Sequence, residues 1–153
     1  AALAGGRRQE RRGMKDQAVP RVAAKLLIPY ILLYAFYVQW HGDYGPGGGF
    51  QAGVIFAAAI ILYALIFDLR SAQQAIRPRV VGLLVPLGLL LYIGVGIVTM
   101  LKGGAFLDYG VLEHDPVHGQ HLGILLIELG VGTTVAGVMI TIFYGFGEAV
   151  SDG

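Results

Sequence analysis

The sequence predicts an all-α membrane protein of four transmembrane helices, with both termini in the cytoplasm and a glycine-rich outer loop between the first two helices. Three observations carry that prediction. Of the 153 residues, 56% are hydrophobic and only 14% are charged, whereas a soluble domain uses about 25% charged residues to cover its surface. Four separate stretches are long and apolar enough to cross a bilayer core, which takes roughly 20 residues of helix. Their apolarity is continuous, without the in-and-out alternation of a membrane β-barrel. A mean hydropathy of +0.67 excludes a disordered chain, and the 24 glycines suit close helix packing in lipid.

Residues 1–20 are a basic tail in which Arg7, Arg8, Arg11, Arg12 and Lys15, with Arg21 just beyond, outnumber Glu10 and Asp16. The basic charge is local, so it sets orientation and does not call for nucleic acid as a partner. A membrane domain over 21–147 follows, with spans at about 22–40, 50–67, 80–101 and 122–147, and 148–153 form a short C-terminal tail. The first span follows a long basic segment and has no small-residue cleavage site, so it reads as a retained anchor rather than a signal peptide. Lys25, near its start, snorkels to the headgroups. Pro29 and Pro86 fall inside spans one and three, where a bilayer helix tolerates a kink. Tyr34, Tyr37, Trp40 and Tyr44 gather at the outer end of span one as an interfacial belt.

Lysine and arginine count sets the topology. The tail is basic, the 41–49 loop has none, the 68–79 loop has Arg70, Arg77 and Arg79, and the outer loop after span three has only Lys102. The positive-inside rule places both termini and 68–79 in the cytoplasm, and 41–49 and 102–120 outside. Asp68 caps the cytoplasmic helix end beside Arg70. This is the arrangement of a multi-pass protein of the cytoplasmic, or inner, membrane.

Cysteine is absent, which excludes disulfides, thiolate nucleophiles and cysteine-held zinc or iron–sulfur groups. No Ser–His–Asp spacing is recognisable, so no enzyme active site is expected. The run His41, Gly42, Asp43, Tyr44, Gly45, Pro46, Gly47, Gly48, Gly49, Phe50 lacks the Gly-Lys-Ser/Thr of a nucleotide loop. It reads as a tight turn that lets another backbone approach, with Pro46 limiting its freedom and Phe50 anchoring the start of span two.

The string HGDYGPGGGFQAG, the helix AAAIILYAL after it and the later HGQHLGILLIELGVGTTVAGVMITIF resemble the MnhB/MrpB family. These are small subunits of the multisubunit Mrp-type sodium/proton antiporter, with relatives in the membrane arms of energy-converting hydrogenases. The likeness runs from about Lys25 to Phe146. It implies an accessory subunit packed beside larger antiporter-like chains, with Na+ and H+ as the transported ions and His41, Gly42, Pro46, Gly47, Gly48, Gly49 and Phe50 as the family turn. A hydrogenase-type membrane arm and a purely structural spacer are the other roles open to such a chain.

Glu128 is the one acid within a span. Counted from Leu122 at 1.5 Å per residue, it lies about 9 Å along span four, below the outer surface. An intramembrane carboxylate is a functional candidate by default, facing protein or a water-filled cavity; the alternative is a protonated structural group at a subunit contact. Gly123, Gly130 and Gly137 recur every seven residues on this span, and Gly132, Thr133 and Thr134 add small positions. Such rows let a partner helix approach and threonines bond across the contact. Gly53, Ala57 and Ala64 make a comparable surface on span two.

The outer loop gathers Asp115, His118 and His121 with Asp108, Glu113 and His114. Because Pro116 interrupts the helical spacing of the three histidines and no thiolate assists, no metal or other cofactor is expected. Proton or cation handling at an outer mouth suits them better, as does docking on a neighbouring subunit. Candidate ion or proton groups are therefore Glu128, His121, His118 and Asp115.

Overall fold

The computed structural model describes residues 18–152, so the basic tail before Ala18 lies outside the described residues. Five α-helices follow in order: α1 Ala18–His41, α2 Gly49–Phe67, α3 Leu69–Ala75, α4 Pro78–Leu101 and α5 Pro116–Ser151, with a short 3-10 turn at Tyr109–Val111. α1, α2, α4 and α5 are each long and apolar enough to cross a membrane. Each of the four expected spans lies within one of them. Pro29 and Pro86 are carried inside α1 and α4 without ending either helix.

The helices overrun the apolar spans where sequence signals at the ends permit. Pro116 occupies the first turn of α5 and the Asp115 side chain accepts a hydrogen bond from Val117 N at 3.0 Å. Proline at that position lacks only an N–H that would be orphaned anyway. It therefore starts the helix and leaves His114 outside it, so the helical spacing of the three histidines is interrupted there as expected. At the other end α5 continues through Ser151. The expected 68–79 loop holds a helix of its own, α3. Asp68 accepts from Leu69 N at 3.0 Å, capping the start of α3, while its own N–H closes α2 on Ala64 O. It does so at φ 122°, a conformation rarely taken by residues other than glycine.

The four long helices form a row in the order α1, α2, α5, α4, and α1 barely meets α5. What packs them is small residues. Ala57 and Ala64 of α2 are buried with Ile140 and Tyr144 of α5, Val81 of α4 and Ala72 of α3, and Ala24 and Ile28 of α1 are buried with Ala59. Large apolar side chains such as Leu33 and Leu90 point outward instead, 65% and 63% exposed, as expected where lipid replaces water as solvent.

The glycine rows are used at home. A Cβ on Gly130 would lie 2.8 Å from Gly88 O, and one on Gly88 would lie 2.5 Å from Gly130 O; Gly137 faces Leu84 and Val85 of α4. Thr134 donates to Gly130 O at 2.9 Å and reaches Val85 O at 3.4 Å, while Thr133 donates to Leu129 O. Gly123 lies under the ring of Tyr109, so the 102–115 loop folds onto α5. The surface expected to meet a partner helix is thus filled by this chain's own α4 and loop. Likewise Gly53 of α2 meets Gly132 O of α5, and Ala57 and Ala64 are covered. Gly88→Ala should accordingly cost about 1–3 kcal/mol, whereas Gly82→Ala, with nothing within 4 Å of the added carbon, should be neutral or slightly stabilising. Thermal melting of the two variants, each in the purified complex, checks the pair; equal melting points would mean that α4 does not pack this closely.

The two ends of the bundle differ in charge. Arg21 and Lys25 lie over the Phe67 ring at 5.5 and 5.8 Å, at the end where α3 and its Arg70 sit and where Gln73 bonds Glu148 at 2.8 Å. Asp43, Asp108, Glu113 and Asp115 lie with Lys102 at the opposite end. There the Lys102 ammonium donates to Leu112 O at 2.6 Å.

Candidate functional site

Glu128 and the glycine turn, separate features in the sequence, meet in space. A Cβ on Gly42 would lie 2.5 Å from Glu128 Oε2 and 2.7 Å from Oε1, and one on Gly48 would lie 3.2 Å from Oε1. Gly49, the first residue of α2, has no room for a Cβ because the backbone of Glu128 occupies that space. Gly132, one turn along α5, rests against Gly49 in the same way, with a Cβ placed 3.0 Å from Gly49 O. The backbone that approaches Glu128 is therefore the chain's own turn rather than a partner's. Side chains at 42, 48 or 49 would hold it off.

The turn is built for that approach. Gly48 N bonds Val38 O at 3.3 Å and Gly45 N bonds His41 O at 3.1 Å, so the chain folds back over the end of α1. Gly48 sits at φ 125°, a value that strains any residue with a Cβ. His41 stacks on Tyr37, with ring centroids 5.3 Å apart. Pro46 is exposed. Phe50 is 60% exposed, so it faces away from the bundle and does not pin α2 to it.

Two residues of the turn reach outward along α5. The Asp43 carboxylate pairs with His121 Nδ1, and Tyr44 stacks on the same imidazole at 5.7 Å and 18°. Asp43 also lies close enough to Glu128 for the two carboxylates to interact electrostatically. One turn further out, His118 pairs with Asp115 at 3.1 Å, both well exposed. Of the candidate groups, then, Glu128 and His121 both meet the 42–48 turn, through Gly42 and Gly48 and through Asp43 and Tyr44, and His118 with Asp115 forms a separate exposed pair. The histidines do not converge, and no group of three or more His, Asp or Glu among the described residues is placed to hold a metal ion. Sequence reasoning misses Asp43, although it stands within the turn string itself.

The 102–115 loop packs on this chain's own helices. Phe106 packs on Gly96, Leu107 N bonds Thr99 Oγ1 at 3.0 Å, and Tyr109 lies along Gly119 and Gly123. Burial, and then the nearby Tyr92, push the Tyr109 phenol above its usual range, so it stays neutral. Between α1, α2 and α5 lies a half-open apolar cavity of about 510 Å³, bordered by Phe36, Gln39, Phe56, Leu129 and Thr133. Gln39 is 7% exposed, and its amide nitrogen has no hydrogen-bond partner among the described residues.

Comparison with known proteins bears on what such a site is for. Residues 19–141 match the family described as "Domain related to MnhB subunit of Na+/H+ antiporter". The chain belongs to the MnhB family. Relatives named "Putative antiporter subunit mnhB2" from Staphylococcus aureus strains Newman, JH1 and COL are each 34% identical over 131 residues, covering 84% of this chain and 92% of theirs. The MnhB match takes in α1, α2, α3, α4, the outer loop and α5 as far as Thr141, and so includes the whole of the Glu128 site.

Proposed function

We propose that this chain is an ion-handling subunit of a multisubunit Na+/H+ antiporter, with Glu128 as the group that exchanges a cation or proton with the outer face. Membership of the MnhB family makes it a multi-pass membrane subunit of such an antiporter, and its relatives carry antiporter names. That favours the antiporter over a hydrogenase-type arm. The observation that carries the site assignment is the contact of the glycine turn with Glu128: a spacer could be built with any apolar side chain there, but this chain sets a carboxylate beneath the turn's glycines.

Outward of Glu128 come Asp43 and His121, then His118 and Asp115. Carboxylates at an entrance concentrate cations, and imidazole can pass protons at physiological pH. This string of polar groups supports His121, His118 and Asp115 as an outer approach to Glu128. The partners are the larger antiporter subunits, and the membrane is the cytoplasmic one. Glu128→Gln in the assembled complex tests the assignment: transport unchanged across the working pH range would leave only a spacer.

The orientation follows from the basic end formed by Arg21, Lys25, Arg70, Arg77 and Arg79, which the positive-inside rule places in the cytoplasm. A cysteine introduced at Ser71, in a chain with no cysteine of its own, should resist an impermeant reagent in intact cells, and one at Glu113 should react. Labelling at Ser71 with protection at Glu113 would invert the topology.

A further inference from the structure

We infer that Asp43 is a positioning residue that ties the protonation of His121 to the opening of the turn over Glu128; the inference rests on the role proposed for Glu128. Two consecutive residues of the turn grip one imidazole. Asp43, whose side chain is only 14% exposed, pairs with His121 Nδ1, and Tyr44 stacks on the ring. The same turn presents Gly42 and Gly48 to the Glu128 carboxylate. His121 stands seven residues, about 10 Å, outward of Glu128 on α5. Hydrogen bonds tie the turn to the end of α1, and the grip on His121 is its side-chain tie to α5.

The charged and titratable groups around that imidazole are few. The turn contributes Asp43 and Tyr44, and its Gly42 and Gly48 lie against Glu128. On α5 the nearest is His118, which is engaged with Asp115. Tyr109 packs on Gly119 and Gly123, on the other side of the helix. His41 is turned toward Tyr37. Asp43 is thus the only carboxylate in contact with His121 among the described residues.

The sign follows from that pairing. Protonated His121 attracts the Asp43 carboxylate, so acid on the outer side closes the turn. As pH rises and the imidazole loses its charge, the Coulomb attraction goes and a single hydrogen bond remains, so the turn lifts. Asp43 is then released beside Glu128, and two carboxylates face an incoming cation. A proton arriving from outside closes the same entrance and drives the cation away, which is the competition that antiport requires.

The experiment uses the assembled complex in vesicles, with antiport followed against outer pH and modification of Glu128 by a water-soluble carbodiimide read by mass spectrometry. Asp43→Asn and His121→Gln should each shift the acid limb of transport toward lower pH by about half to one unit. At pH 6 each should be modified at Glu128 several-fold faster than the parent, and Asp43→Glu should restore the parent profile. If one variant fails to assemble, the other carries the same two readouts. Parent-like pH profiles and parent-like modification rates in the assembled variants would overturn the inference. If instead Glu128→Gln transports normally, it is the role of Glu128 that fails, while the modification rates still report whether Asp43 holds the turn closed.

Discussion

Glu128→Gln is expected to leave the complex assembled and to reduce sodium-dependent proton transport at least about a hundredfold, the scale on which positioned proton-transfer groups act. The substitution keeps the volume and hydrogen-bonding capacity of the side chain, and the contacts with Gly42, Gly48 and Gly49 are made at positions that glutamine also fills. What it removes is the ability to titrate or to carry charge. Glu128→Asp keeps that ability but withdraws the carboxylate from Gly42 by one methylene, so it should retain part of the activity. Purified complexes of both variants, assayed in vesicles over the same pH range, separate the two effects. Parent-like exchange by an assembled Glu128→Gln complex would make the residue a packing element.

Gly48→Leu should lower the yield of assembled complex and cut transport by tenfold or more in what remains. Two penalties coincide there. The residue sits at φ 125°, where a side chain costs about 1–3 kcal/mol of backbone strain, and its Cβ would press within 3.2 Å of Glu128 Oε1. Gly45→Ala is the control within the same turn, since its Cβ would meet only the movable end of the His41 ring at 3.0 Å. Pro46→Gly, at an exposed position, should loosen the turn with a smaller effect. Comparison of complex yield and specific activity distinguishes strain from displacement of the carboxylate. Normal yield and full activity in Gly48→Leu would reduce the turn to a connection.

The four membrane helices are legible in the sequence because unbroken apolarity over about 20 residues matches the thickness of a bilayer core and little else. Glu128 is legible for the same reason, as the exception within a span. Its contact with the turn is not, since the residues that make it are glycines some 80 positions away, with no side chain to signal a pairing. Asp43 escapes notice because an aspartate in an outer loop looks solvated until His121 is brought to it. The row Gly123, Gly130, Gly137 announces close approach but not to what: spacing specifies a face, and only the fold shows that α4 and Tyr109 occupy it. Pro116 separates His114 from His118 and His121, as its position suggests, and it does so by starting a helix under the Asp115 cap.

Glu128 is level with the first residue of α2, and the 19 residues of that helix span about 28 Å, close to the thickness of a bilayer's hydrocarbon core. Measured against the helix that touches it, the carboxylate stands at one end of α2, whereas counted from Leu122 it lies about 9 Å along its own span. A membrane potential falls mainly across the hydrocarbon and is worth about 2.3 kcal/mol per elementary charge per 100 mV. On the topology and role proposed above, and with the start of α2 taken as the edge of the hydrocarbon, an ion stepping from the outer solution to Glu128 would cross little of the field. Loading this site should depend on concentrations and pH but hardly on voltage, and the electrical work of the exchange cycle must be done deeper in the assembly, by whatever carries charge past the level of α2.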